Sequence, residues 1–154
     1  MRIDYDNIVI NIRQKKYSLI GYGTGRVVYD LGNGYVVKVA KNKKGIAQNK
    51  AENQIYSMND TEYFAKILAV SEDFRFLIME KAERISSISV VWRHFQVRNN
   101  RELFRLSIFQ KFVTQYHLIM GDLYRRSSWG IVNGKLVIID YGFTKETRRL
   151  YTIF

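Results

Sequence analysis

Cysteine and proline are both absent from this 154-residue chain, and histidine occurs twice. Without cysteine there is no disulfide framework and no thiolate metal site, and a reducing, cytoplasmic setting is the simplest expectation. Two histidines leave too few imidazoles for a dedicated zinc site. The lack of proline removes a usual marker of linkers, and no repeat or low-complexity tract divides the chain. Long apolar runs are missing too. The longest, such as Leu136 to Ile139 and Phe76 to Met79, fall far short of the roughly 20 residues a membrane-spanning helix needs. The opening stretch MRIDYDNIVINIRQKK alternates charged and β-branched residues and lacks the unbroken apolar centre of a signal peptide.

What is present is a packed-core composition, 47% hydrophobic, on a chain long enough for one domain over residues 1–154. The formal charge is +11. Residues 1–80 carry twelve Lys/Arg and nine Asp/Glu, whereas residues 81–154 carry thirteen and five. Such an excess favours an acidic partner: a nucleotide, nucleic acid, an acidic protein surface or anionic lipid. The alternative is a soluble basic protein with no polyanion partner.

The first half reads mainly as β. NIVINI (7–12) is expected as a short strand, followed by three more in the stretch 17–40. Gly32-Asn33-Gly34, between β-branched runs, marks a hairpin. Residues 45–59 have Ile46, Ala51, Ile55 and Met58 at helical spacing, and 64–82 reads as two strands around a turn at Ser71 to Asp73. Residues 101–117 place Leu103, Leu106, Phe109, Phe112, Val113 and Tyr116 on one side of an amphipathic helix. A final hairpin turns at Asn133-Gly134. The fold class is α+β.

Three places concentrate chemistry. Gly21, Gly23 and Gly25 lie between two strands, where glycine lets backbone N–H groups approach a phosphate. A dinucleotide loop would lead into a helix and a P-loop would need Gly-Lys-Ser/Thr, so both fail on context. Lys38 interrupts an apolar strand and needs an anion if it points inward, for which Glu52 on the following helix is a candidate. Each has a plainer reading, a solvent-facing lysine and a surface glutamate. Asp122 follows a helix, and Asp140 ends the strand LVII just before Tyr141-Gly142. Two such carboxylates joined by a hairpin can face one cleft, which suits a hydroxyl base and a Mg²⁺ ligand; singly, each reads as a turn-capping aspartate.

The order of these parts resembles that of the protein-kinase-like superfamily from about Leu19 to Phe143. The stretches GTGRVVYDLGNGYVVKVAKN, GIAQNKAE and DL…SWG look most like the small kinase-like proteins of phages and mobile elements. The resemblance implies a minimal bilobal fold: an antiparallel N-lobe sheet with one helix over about 1–80, and a truncated helical C-lobe over 83–154. It implies ATP and Mg²⁺ as cofactors. Gly21, Gly23 and Gly25 would cover the phosphates, the third glycine falling one position early. Lys38 would hold the α- and β-phosphates and pair with Glu52. Glu80, Lys81 and Ala82 would form the hinge that meets the adenine. Asp122 would receive the substrate hydroxyl's proton, and Asp140 would bind metal.

Three departures qualify this. Met120 stands for the catalytic-loop histidine, and Ser127 or Ser128 for the asparagine that helps bind metal. Only twelve residues follow Gly142, so an extended-peptide platform is not expected and the substrate would dock elsewhere. Thr144, Thr147, Tyr151 and Thr152 lie close enough to Asp140 in sequence to suggest autophosphorylation. Arg125 and Arg126 offer either a site for an acidic or phosphorylated substrate or a solvated face. The leading expectation is an ATP-dependent phosphotransferase acting on a protein hydroxyl. The alternatives are a kinase-shaped module that binds a partner without turnover, and a nucleic-acid-binding protein in which Trp92, Phe95 and Phe104 are core rather than stacking platforms.

Overall fold

The computed structural model describes residues 2–58 and 61–151, with side chains to residue 148. Its elements in chain order are α1 (Tyr5–Arg13), β1 (Ser18–Tyr22), β2 (Arg26–Asp30), β3 (Tyr35–Ala40), α2 (Lys43–Met58), β4 (Ile67–Val70) and β5 (Phe76–Glu80). The second half contains β6 (Glu83–Arg84), α3 (Ser89–His94), α4 (Asn100–Arg105), α5 (Ser107–Thr114), α6 (Met120–Leu123), β7 (Trp129–Val132), β8 (Lys135–Ile138) and α7 (Lys145–Tyr151). The expected α+β class holds: a five-stranded sheet, β1-β2-β3-β5-β4, antiparallel throughout, precedes a mainly helical half carrying the small sheet β6-β7-β8.

Both faces of the large sheet are covered, and alternation decides which residue goes where. From β3 and β5, Val37, Phe76 and Ile78 pack with Ile8 of α1, while Val36, Leu77 and Met79 join the main core shared with the helical half. Lys38 follows Val36 in the two-residue period, so it turns inward toward α2. It is 5% exposed, which excludes the solvent-facing reading. The hairpin at 31–34 forms as expected, with Gly32 (φ +80°) and Gly34 (φ +90°) in the left-handed region where glycine carries no steric penalty.

Three expectations are corrected. NIVINI is helical, not extended: Asp4 caps α1 by accepting from Asn7 N at 3.1 Å, Asp6 sits in the first turn and Arg13 in the last. Tyr5, Ile8, Val9 and Ile12 fall at helical spacing against the sheet. The helix at 45–59 forms as α2, but its inner face is not the apolar one. Gly45, Asn49, Glu52 and Ile55 are buried, whereas Ile46 and Met58 are exposed, and Asn59 lies outside the described residues. The helix at 101–117 breaks at Leu106, whose ψ of 139° is extended. Leu103, Phe109 and Phe112 are all fully buried, and six residues of unbroken helix would set Leu103 and Phe109 about 120° apart around the axis. The break lets both reach one core. Trp92 and Phe95 pack against that core, but Phe104 is exposed.

Candidate active site

The three loop glycines, Lys38, Glu80, Ala82, Asp122, Ser127, Ser128 and Asp140 line one cleft of about 1070 Å³ between the large sheet and the helical half, at the upper end of the range for small-molecule sites, and Glu52 lies buried behind Lys38. At its base, Lys38 Nζ donates to both oxygens of Glu52 at 3.0 Å and to the Ile139 carbonyl at 2.6 Å. Glu52 is fully buried. It is the opposite of a surface glutamate, because it also accepts from Tyr141 N at 3.0 Å and from both terminal nitrogens of Arg26 at 2.8 and 3.1 Å. Burial would raise the Glu52 carboxyl, but the charges and hydrogen bonds of Arg26 and Lys38 outweigh it and hold the group at about 2. For Lys38 the balance is reversed: burial outweighs Glu52, and the ammonium is pulled below its ordinary value. The pair favours the carboxylate and strains the ammonium, and the second cation, Arg26, settles the account for Glu52.

Arg26 was not among the expected residues. It is 7% exposed, and besides Glu52 it donates to Asn49 Oδ1 at 3.0 Å and to Asp140 Oδ1 at 3.1 Å. Its one signal in sequence is the early third glycine, which puts an arginine where the usual spacing has glycine. Asn49 was missed as well. Fully buried, it ties α2 to the turn between β4 and β5 by donating to the Phe74 carbonyl at 2.8 Å.

The three loop glycines separate by packing. A Cβ on Gly21 or Gly23 would meet nothing within 4 Å, and neither residue has positive φ, so the fold itself does not demand glycine there. Gly25 serves packing: its carbonyl accepts from Lys41 N at 2.8 Å, and a Cβ on Gly45 would fall 2.0 Å from that oxygen. The loop is tied to the start of α2, where Asn42 accepts from Gly45 N at 3.1 Å and donates to the Thr24 carbonyl at 2.9 Å. Glu80 and Ala82 lie on the wall of the cleft beside Lys81. Glu80 turns its carboxylate back to Lys66 N at 2.7 Å, while Lys81 pairs with Asp30 at 2.6 Å.

Asp122 lies on α6, and its Oδ2 is buried with no hydrogen-bond partner. Arg125 approaches the other oxygen only at 3.9 Å. Burial, which Arg125 only partly offsets, raises the Asp122 carboxyl above its ordinary value, and Asp140 adds to the rise. Asp140, just beyond β8, keeps 54% of its side chain exposed and has its Oδ1 on Arg26. Ser127 and Ser128 form a short 3-10 turn before β7 and also line the cleft. Ser128 is buried and its carbonyl accepts from Ile139 N at 2.8 Å. Among the described residues no group of three or more His, Asp or Glu side chains could form an all-protein metal cage. Mg²⁺ does not ask for one. It is typically held by one or two carboxylates with phosphate and water completing the octahedron. The half-open Asp140 carboxylate fits that requirement, with the Ser127 and Ser128 hydroxyls beside it on the same cleft. Of the candidate phosphorylation sites, Thr144 and Thr147 are buried and hydrogen-bonded to each other at 3.0 Å, so they are not presented to the cleft. The side chain of Tyr151, and Thr152, lie outside the described residues.

No family model and no curated protein matches this sequence. Among solved structures, the streptomycin–ATP–APH(2")-IIa ternary complex is similar at 17% identity, covering 92% of this chain and 71% of that one, with a TM-score of 0.48. A likeness this distant assigns no residue and no ligand, and the chemistry of the cleft rests on its own geometry.

Proposed function

We propose that this chain is a kinase-like phosphotransferase that uses ATP with Mg²⁺ to phosphorylate a hydroxyl. The observation that supports it is the buried Lys38–Glu52 pair at the base of a cleft that also holds two carboxylates, one with a partnerless oxygen. In this reading Gly21 and Gly23 give backbone N–H groups close access to the phosphates, Gly25 supports them, and Lys38 supplies a fixed cation beneath. Glu80 and Ala82 flank the base. Asp140, with Ser127 or Ser128, holds the metal, which when bound neutralises charge on the phosphoryl group in flight. Asp122 takes the proton from the acceptor hydroxyl as that oxygen bonds to the γ-phosphorus and the bond to the β-phosphate oxygen breaks. A raised carboxyl in a half-buried setting is suited to accepting a proton. The rim of the cleft carries Lys44, Arg84, Arg125 and Arg126, so the acceptor we favour is an acidic protein segment.

A second reading, nucleotide or partner binding without turnover, has one observation in its favour. Lys38 already uses all three ammonium donors, and Arg26 already holds Asp140. Thermal unfolding separates these readings from a site that binds nothing. ATP with Mg²⁺ at 100 times its Kd should add about 2.7 kcal/mol, which is about 5–10 °C for a chain this long. Asp140→Ala should remove the metal-dependent part. Phosphate appearing on an acidic protein by mass spectrometry supports transfer; a shift without phosphate leaves the binding module, and no shift at millimolar nucleotide removes both.

A further inference from the structure

Arg26 has no role in the phosphoryl-transfer reading, yet its guanidinium lies at the centre of the site. The two terminal nitrogens carry four N–H groups, and four acceptors meet them: Asn49 Oδ1, Glu52 Oε1, Glu52 Oε2 and Asp140 Oδ1. The two contacts to Glu52 are the parallel, bidentate kind that fixes a guanidinium in plane. Glu52 is itself immobilised by Lys38 and Tyr141 N inside the protein. Asp140 differs from the other two acceptor residues, because it lies at the surface of the cleft with half its side chain open. The guanidinium therefore cannot follow Asp140 without surrendering Glu52, but Asp140 can leave the guanidinium at the cost of one contact.

We propose that Arg26 is a resident cation that competes with a divalent metal for Asp140, so that the site binds free metal poorly and accepts it together with a polyphosphate. This rests on the reading of Asp140 as a metal ligand. The physical reason is charge. A carboxylate oxygen 3.1 Å from a buried guanidinium already has much of its charge compensated, and a second, doubly charged cation is repelled by the first. Mg²⁺ dehydrates reluctantly and needs ligands at 2.0–2.1 Å, so a half-neutralised carboxylate offers it little. The negative charge of a bound nucleotide reverses that balance, which makes metal and nucleotide binding mutually reinforcing.

The test is Mn²⁺ binding without nucleotide, followed by titration calorimetry. Arg26→Gln should bind Mn²⁺ about tenfold or more tightly than the wild type once the neighbouring charge is gone, and the double variant with Asp140→Asn should lose that gain. Equal or weaker binding by a folded Arg26→Gln variant, with binding still dependent on Asp140, overturns the inference and leaves the metal site standing. If no protein shows Asp140-dependent Mn²⁺ binding, even with a non-hydrolysable ATP analogue, the metal reading falls and this inference with it. Should Arg26→Gln fail to fold, side-chain NMR of arginine-labelled wild type decides the matter. Mg²⁺ added with the analogue should move the Arg26 guanidinium signals, and an unmoved signal at saturation refutes the competition.

Discussion

Glu52 is the residue on which the stability of the site turns, and its removal has a size and a pH signature that can be worked out beforehand. Glu52→Gln keeps the shape but leaves Arg26 and Lys38, two buried cations, without their common anion. Breaking a buried pair from one side costs about 3–5 kcal/mol. A second route gives a similar figure. The carboxyl moves from 4.5 to about 2 on folding, and at 1.36 kcal/mol per pH unit this corresponds to about 3 kcal/mol. The sign follows from the direction. A depressed folded value means that the contribution is complete above the unfolded value near 4.5 and fades as pH falls through it toward 2. Urea unfolding of wild type and variant at pH 7 should therefore differ by about 3 kcal/mol, or about 6–12 °C in Tm. The gap should narrow between pH 4.5 and pH 2.5. A variant as stable as wild type at neutral pH, or a gap that ignores acid, would refute the claim that Glu52 is charged and holds two cations.

The orphaned Asp122 oxygen predicts a trade between stability and activity. Asp122→Asn should raise stability by about 1 kcal/mol, since removing the charge of a partly buried carboxylate with one unpartnered oxygen relieves its desolvation. The same change should lower phosphate transfer by about 10²–10⁴-fold, as read by Tm beside a turnover assay. Gly21→Ala and Gly23→Ala should leave the denaturation midpoint within about 1 kcal/mol of wild type while weakening ATP binding. Gly45→Ala, whose Cβ would strike the Gly25 carbonyl, should cost at least about 1–3 kcal/mol in the same unfolding experiment. Asp4→Ala should cost about 1 kcal/mol and reduce helical circular dichroism, because the Asn7 N–H loses its cap.

What sequence made legible were features with a local cause. Gly32, Gly34, Asn133 and Gly134 mark turns because few residues tolerate positive φ, and those hairpins formed where expected. Lys38 and Asp140 were legible because one interrupts and the other follows an apolar strand, and Glu52 and Asp122 only through their order along the chain. The failures have non-local causes. NIVINI alternates, but Asp4 and a second sheet face waiting to be covered make it a helix. α2 was found through Ile46, Ala51, Ile55 and Met58, of which Ile46 and Met58 proved exposed; its inner face joins Ile55, in the apolar core, to Asn49 and Glu52, which meet Arg26 and Lys38.

Arg26 was nearly silent for the same reason. An arginine at the start of a strand is ordinary until Asn49, Glu52 and Asp140 arrive around it from 23, 26 and 114 residues away. Once there, it changes what the legible residues mean. A lysine and a glutamate in kinase order suggest a neutral pair, with the lysine free to hold phosphate. Burial, with the second cation on the same carboxylate adding to it, makes the Lys38 ammonium the strained member, and it gains most from a new anion at its side. A polyphosphate entering the cleft therefore relieves a cost the fold already bears. The nucleotide affinity of this site should depend on Arg26 even where guanidinium and phosphate never touch.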